Sequence, residues 1–401
     1  MIKPRQGWQA MGLAAVALLG LAGCQKDKVH QEWRAQADDR WLNVRSALML
    51  EMAQQYFDTG DLDQAAKTVK DALRLDPDNA GLYVLAGRIS LERGQLERSY
   101  HLLNMAIEHD ETLPEAHYYQ GLVLQRWQQH DEALTRYQRA FELEADNIAY
   151  LLAAGEMLVE LDRRDEAMDL LQSKLTYFDQ NASLRAAIGH LYAMQGRPDQ
   201  AVRFFRQASL LDPESFKFKE ELSLALLAAG QNQEAVELLK QLVENPQAEG
   251  RRDLQRALAQ AQAELGRVEE ARAIYLKLAR SEPSEAIDWV KLAELAWRQG
   301  DLEGTLYAAG RAISLAPQQH EGYLLAGMVW HKRKQLPEAL RMFDRAAELA
   351  PNSAEPLILR GLALQQAGHR QAAVEAYEEA LQRQPQDTRA QRLLQALAQA
   401  P

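Results

Sequence analysis

A single cysteine, Cys24, occurs in 401 residues. Everything after it therefore lacks a thiol, so no disulfide, cysteine-ligated zinc or cysteine nucleophile can form there. β-Branched residues are also scarce: Val, Ile and Thr number 14, 9 and 7, very few for a chain of this length with a substantial sheet. Gly (22) and Pro (13) together make up less than a tenth of the chain, which excludes collagen-like and low-complexity readings. The net charge of −11 has the wrong sign for a phosphate-tracking surface, so no nucleic-acid partner is expected. With 47% hydrophobic and 26% charged residues, the chain is not of disordered type. Ala, Leu, Gln, Glu and Arg fill it instead, and all are good helix formers. The predicted fold class is all-α.

Motifs that carry chemistry are missing as well. There is no Gly-rich phosphate loop, HExxH zinc helix or nucleophile elbow. His117 and His130, like His320 and His331, are not at the i, i+4 spacing of a helical metal pair. Carboxylate pairs such as Glu269-Glu270 and Glu378-Glu379 read as solvated surface. Neither catalytic residues, a metal nor a cofactor is expected, and the chain is not expected to be an enzyme.

The start of the chain reads as an address. Lys3 and Arg5 form a basic n-region, and Met11 to Ala22 is an uncharged apolar run of 12 residues. That length suits a signal-peptide core but spans a bilayer poorly. The run ends in Leu21-Ala22-Gly23-Cys24, which resembles the lipobox of bacterial lipoproteins. The resemblance implies that residues 1–23 are cleaved and that Cys24 is acylated to become the anchored N-terminus. Several acyl chains would hold it stably where one would bind only marginally. In lipoproteins of this kind an Asp after the cysteine signals inner-membrane retention. Gln25 stands there instead, which favours the outer membrane, although Lys26 could reverse that sorting. Residues 24–31 would then be a lipidated tether facing the periplasm.

The rest of the chain repeats. Gly87, Gly121, Gly155 and Gly189 lie 34 apart, as do Gly327 and Gly361 and also Pro283, Pro317, Pro351 and Pro385. A series of small residues runs Ala65, Ser99, Ala133, Ala167, Ala201, Ala235 and then, after one step of 36, Ala271, Thr305, Ala339 and Ala373. All three markers place one two-residue insertion in the same stretch, best assigned to 244–250. This period and these markers resemble the tetratricopeptide repeat (TPR). One copy carries Tyr323, Gly327, Trp330, Ala339, Phe343, Ala346 and Pro351 in the family's order.

The resemblance implies an α-solenoid of ten helix pairs over 46–387, forming a right-handed superhelix. The pairs begin at Ser46, Ala80, Pro114, Ile148, Ala182, Phe216, Arg252, Ala286, His320 and Ala354. Small residues such as Gly87 would let the two helices of a pair, A and B, approach. Tyr137, Phe205, Tyr275, Phe343 and Tyr377 would fill the space between pairs. Gly60, Gly230 and Gly300 would end A helices. Lys174 in place of Ala, Ser223 in place of Gly and the insertion make the middle the least regular part. A leading helix over 32–45, with Trp33, Ala37, Trp41 and Val44 at helical spacing, and a helix over 388–401 read as caps.

In the family, the fifth and ninth positions of helix A face a concave groove that takes extended segments or helices. Eight of the ten fifth positions here are apolar; Glu220 and Arg256 are the exceptions. The Lys/Asn and Lys/Arg set that clasps a C-terminal carboxylate is absent. Val84, Tyr118, Leu122 and Leu152, flanked by Arg88, Gln125 and Arg126, form the candidate partner-binding stripe, unless helix-on-helix packing buries them. His190 reads more as a partly exposed polar position than as a ligand-contacting one. The expected function is a non-catalytic, lipid-anchored periplasmic scaffold for protein partners of the cell envelope. It is similar to the TPR lipoproteins of type IV pilus secretin assembly and of exopolysaccharide export. The alternative is an adaptor that docks peptidoglycan hydrolases or proteases. The number of copies in the assembly cannot be read from the sequence.

Overall fold

The computed structural model describes Trp33 and residues 40–399; the lipobox, Cys24 and the tether lie outside this range. Among the described residues there are helices and turns and no strand. The chain divides into two compact units that meet at 180/181.

The first unit holds four helix pairs. They are α1 (40–58) with α2 (Leu62–Leu73), and α3 (Ala80–Glu92) with α4 (Leu96–His109). Then follow α5 (Pro114–Arg126) with α6 (His130–Leu143), and α7 (Ile148–Glu160) with α8 (Arg164–Ser173).

The second unit holds six pairs and a closing helix. Its first three pairs are α9 (Ala182–Met194) with α10 (Pro198–Leu211), α11 (Phe216–Ala228) with α12 (Asn232–Glu244), and α13 (Arg252–Glu264) with α14 (Val268–Arg280). The next are α15 (Ala286–Arg298) with α16 (Leu302–Leu315), α17 (Glu321–Lys332) with α18 (Leu336–Leu349), and α19 (Glu355–Gln366) with α20 (Arg370–Arg383). Helix α21 (Thr388–Gln399) ends it. The predicted starts of pairs two to ten fall on the first helical residue or on the N-cap of each A helix.

Local chemistry explains the punctuation. Asn79, Asn181 and Asp301 cap their helices by accepting from Leu82, Leu184 and Gly304 N–H at 3.3, 2.8 and 2.8 Å. Every A helix ends in a residue of positive φ, at positions 60, 94, 128, 162, 196, 230, 266, 300, 334 and 368. Seven of these are Gly; Gln128, Asp162 and Lys334 are held in the same left-handed conformation at φ 61, 58 and 59°. The backbone thus repeats even where the glycine does not.

Close approach within pairs is the second rule. A Cβ added at Gly121 would lie 2.6 Å from Tyr137 Cε1, and one at Gly327 2.6 Å from Phe343 Cε1. Tyr137 and Phe343 are fully buried at these contacts, as is Tyr377 against Gly361. The Tyr137 hydroxyl donates to Gln125 Oε1 at 2.7 Å and that of Tyr377 to Gln365 Oε1 at 2.9 Å. Each phenol therefore enters the core with its polar end satisfied.

The irregularities also have a structural form. Helix α8 stops at Ser173, the residue before the anomalous Lys174, and turns fill 174–180 up to the boundary between the units. The inserted stretch folds as a 3-10 turn, Pro246–Ala248, with Ala248 buried against the second unit's core.

The two ends differ. Helix α21 buries Ala390 and Leu397 against Ala354, Leu357, Leu364 and Tyr377, as a cap should. The expected break at 45/46 does not occur, because 40–58 is one helix that already belongs to the first pair. Trp41, Val44, Leu48 and Met52 lie along its outer side and stay exposed. Over the described residues this end carries an uncovered apolar stripe.

Candidate docking face

The fifth positions of the A helices are largely covered. None is exposed, and Val84, Ala186, Val290 and Ile358 are buried. Val84 packs with Ala106 and Ala116 beneath Tyr83 and Tyr119. The ninth positions are more open: Glu156, His190, Leu224 and Gln260 are exposed.

The candidate stripe is brought together in part, and much of its polarity is used internally. Arg88 donates to Gln54 Oε1 at 3.1 Å. Its guanidinium also lies over the rings of Phe57 and Tyr119, 4.6 and 4.9 Å from their centroids. Gln125 accepts from Tyr137 and donates to Glu156 Oε1 at 3.4 Å, while Arg126 Nη1 donates to the Leu91 carbonyl at 3.1 Å. Apart from the Gln125–Tyr137 bond, which lies within one pair, these contacts tie neighbouring pairs to one another. Tyr118 sits in an aromatic cluster with Tyr119, Tyr137 and Tyr150, with ring centroids 4.9–5.6 Å apart. Burial pushes the phenols of Tyr118, Tyr137 and Tyr150 up. Leu122 and Leu152 remain half-buried. Tyr118 is therefore half-buried and packs helix on helix, the alternative that the sequence left open for this stripe.

Between these helices lies a cavity of about 410 Å³ lined by Leu50, Gln54, Val84, Arg88 and Leu113, with the exposed Glu51 and Glu115 on its rim. Its walls come from α1 and α3 and from the start of α5.

The second unit holds a polar cluster that lies outside the expected stripe. Asp288 is fully buried, yet it accepts from Arg252 Nη2 at 2.8 Å and from Arg256 Nε and Nη2 at 2.7 and 2.9 Å. Glu285 pairs with the same two arginines at 2.9 and 2.8 Å. Hydrogen bonding to Asp288 raises Arg256 above its already high ordinary pKa. Glu220, the other polar fifth position, is bound by Arg251 at 2.5 Å. One signal was available: Asp288 is third in the A helix of the eighth pair, where the first seven pairs carry Leu48, Leu82, Ala116, Tyr150, Leu184, Phe218 and Leu254.

His190 is exposed and its Nε2 lies 2.9 Å from Glu221 Oε1, a surface pairing. Among the described residues no group of three or more His, Cys, Asp or Glu is placed to hold a metal ion. Nor is any described helix long and apolar enough to cross a membrane.

Known proteins supply the remaining context. Tetratricopeptide-repeat family models match residues 47–123, 176–290, 290–354 and 354–387, together well over half of the chain. A TPR repeat-containing protein of Methanocaldococcus jannaschii is 20% identical over 308 residues, 76% of this chain and 49% of that protein. TPR repeat-containing protein YpiA of Bacillus subtilis is 24% identical over 199 residues, 50% of this chain and 39% of its own. The chain thus spans half or less of the curated relatives it matches. Among solved structures, yeast Tom70 aligns over 88% of both chains at 14% identity with a TM-score of 0.47. Proteins built from these repeats mediate protein–protein interactions and are generally non-catalytic. The repeat-by-repeat backbone and the four matched segments place this chain in the tetratricopeptide repeat family.

Proposed function

We propose that the chain is a non-catalytic scaffold of the bacterial envelope, anchored through acylated Cys24 at the outer membrane and facing the periplasm. On this reading it holds a protein component of a pilus, secretin or exopolysaccharide-export machine. The lipobox Leu21-Ala22-Gly23-Cys24 supports the anchor, and the repeat family supports protein docking. The observation that carries the docking reading is the cavity along α1, α3 and α5. Apolar walls from Leu50, Val84 and Leu113, with the polar ends of Gln54 and Arg88 beside them, suit an extended segment or a helix.

Two experiments separate the parts. Cys24→Ser should leave the array folded and release it from the membrane fraction; a variant that stays membrane-bound after a salt wash refutes the anchor. A photo-crosslinking residue at the exposed Glu51 or Glu115 should capture one envelope protein, and the same residue at the exposed Glu378 on α20 should not. Equal labelling at all three positions refutes docking on this face.

A further inference from the structure

A second cavity of the first unit, of about 520 Å³, lies among α2, α3 and α4. Ala66, Val69 and Leu73 of α2, Ala86 and Ile89 of α3, and Leu102 of α4 make its apolar lining. The cavity exists because the first B helix lacks bulk. At the register of Ala66 the next three B helices carry Tyr100, Leu134 and Met168, and at that of Val69 they carry Leu103, Tyr137 and Leu171. The smaller Val69 is matched by Ala53, which stands where the next three pairs carry Gly87, Gly121 and Gly155, so it is the undersized, partly exposed Ala66 that leaves open what the following repeats fill.

The ionisable side chains that line this cavity are of one sign. Its four ionisable lining residues are Lys67, Lys70, Arg93 and Arg98, all cationic, in a chain of net charge −11. Arg93 is oriented by the Leu62 carbonyl at 2.9 Å and by Asp63. Lys67 and Lys70, one helical turn apart on α2, are exposed and make no ion pair among the described residues. An apolar trough with cations along its edge complements a segment of opposite charge that brings its own apolar stripe.

We propose that this trough is a second docking site and that it takes an acidic amphipathic segment of a protein partner. Leucine-sized side chains of the segment enter between Ala66 and Ile89, and its flanking carboxylates meet Lys67, Lys70 and Arg98. The site depends neither on lipid anchoring nor on the cavity along α1, α3 and α5, and it stands if either of those fails.

The test uses the full chain from residue 24 onward with Cys24→Ala. The probe is a fluorescein-labelled helical peptide of about 14 residues with Leu at i, i+4 and i+7 and Glu elsewhere; its Gln-for-Glu analogue is the control. Anisotropy should saturate with the Glu peptide, and the Gln analogue should bind about tenfold more weakly. Ala66→Leu, which restores the bulk of the other repeats, should abolish binding while thermal unfolding stays the same or moves up. Lys67→Glu with Lys70→Glu, on exposed side chains that need no refolding of the core, should weaken binding by about tenfold, and less so at high salt. Three results overturn the proposal. They are no binding of the Glu peptide, equal binding by the Ala66→Leu chain, and dodecanoate occupying the trough when the peptide does not, which would make it a small-amphiphile site.

Discussion

Replacing Gly121 and Gly155 by alanine should move stability in opposite directions, although both glycines hold the same place in their repeats. In the interior of a helix, alanine is favoured over glycine by about 1 kcal/mol. The same Cβ must then fit against the partner helix. At Gly121 it would lie 2.6 and 2.8 Å from Tyr137 Cε1 and Cδ1, so the ring has to retreat. Its hydroxyl is tied to Gln125 and its face lies against Tyr118, 5.6 Å away between centroids. Overpacking of this kind costs about 1–3 kcal/mol, so Gly121→Ala should be destabilising by about 1 kcal/mol. At Gly155 the nearest atom is Leu171 Cδ2 at 3.2 Å, the end of a side chain that can yield a few tenths of an ångström. There the helical gain dominates, and Gly155→Ala should be neutral or more stable by up to about 1 kcal/mol. Hydrogen exchange resolved by helix is the appropriate assay, because repeat arrays need not unfold in one step. Protection should fall in α5 and α6 for the first variant and hold or rise in α7 and α8 for the second. Equal loss in both variants would refute the reasoning, since the contact distances would then have no bearing.

Four further outcomes follow from the same structure. Asp288→Ala strands Arg252 and Arg256; because Glu285 still holds both, the cost should sit near the low end for a broken buried pair, about 3 kcal/mol, with exchange rising in α13 and α15 and not in α3 to α6. Lys334→Gly relieves a left-handed residue on the surface and should stabilise by up to about 1 kcal/mol in chemical denaturation. Deleting residues 388–401 uncovers Leu364 and Tyr377, so exchange should increase from α20 and α19 inward, leaving the first unit unchanged. Burial pushes Tyr275 and Tyr377 up to about 12 from 10.0; the unfolded chain releases these protons first, so stability should fall as pH rises above 10.0, and Tyr377→Phe should lessen that slope.

How much of this was legible follows from what a repeat can encode. Pair boundaries were readable because each depends on one or two residues with strict local demands: Gly or Pro at a helix end, and a residue without bulk where helices A and B cross. Even the insertion could be placed between Glu244 and Gly250, since three residue series slipped there by the same step. The docking stripe was less legible. Val84 at a fifth position is apolar whether it faces a partner or the neighbouring α5, and only the tilt between successive A helices decides which. Gln125 looked available because its own helix gives it no partner; the partner, the Tyr137 hydroxyl, comes from α6. Asp288 was passed over because the reading followed positions five and nine, and the buried charge stands at position three.

The ten copies nonetheless provide a control that most proteins lack. Every pair meets nearly the same packing demand, so a residue that departs from its register needs a local reason, and the structure separates the kinds of reason. Lys174 departs where α8 stops and the chain passes between its units, so it marks a boundary. Asp288 departs with Arg252 and Arg256 already bound to it, so its charge is balanced within the chain and it points to no ligand. Ala66 departs at a partly buried pair face where the next three B helices carry Tyr100, Leu134 and Met168, and Lys67 and Lys70 beside it make no ion pair among the described residues. An unfilled volume costs stability in proportion to the contacts it forgoes. The volume that Tyr100, Leu134 and Met168 fill in the next three pairs stays open beside Ala66, and it is this volume that the proposed acidic segment would occupy.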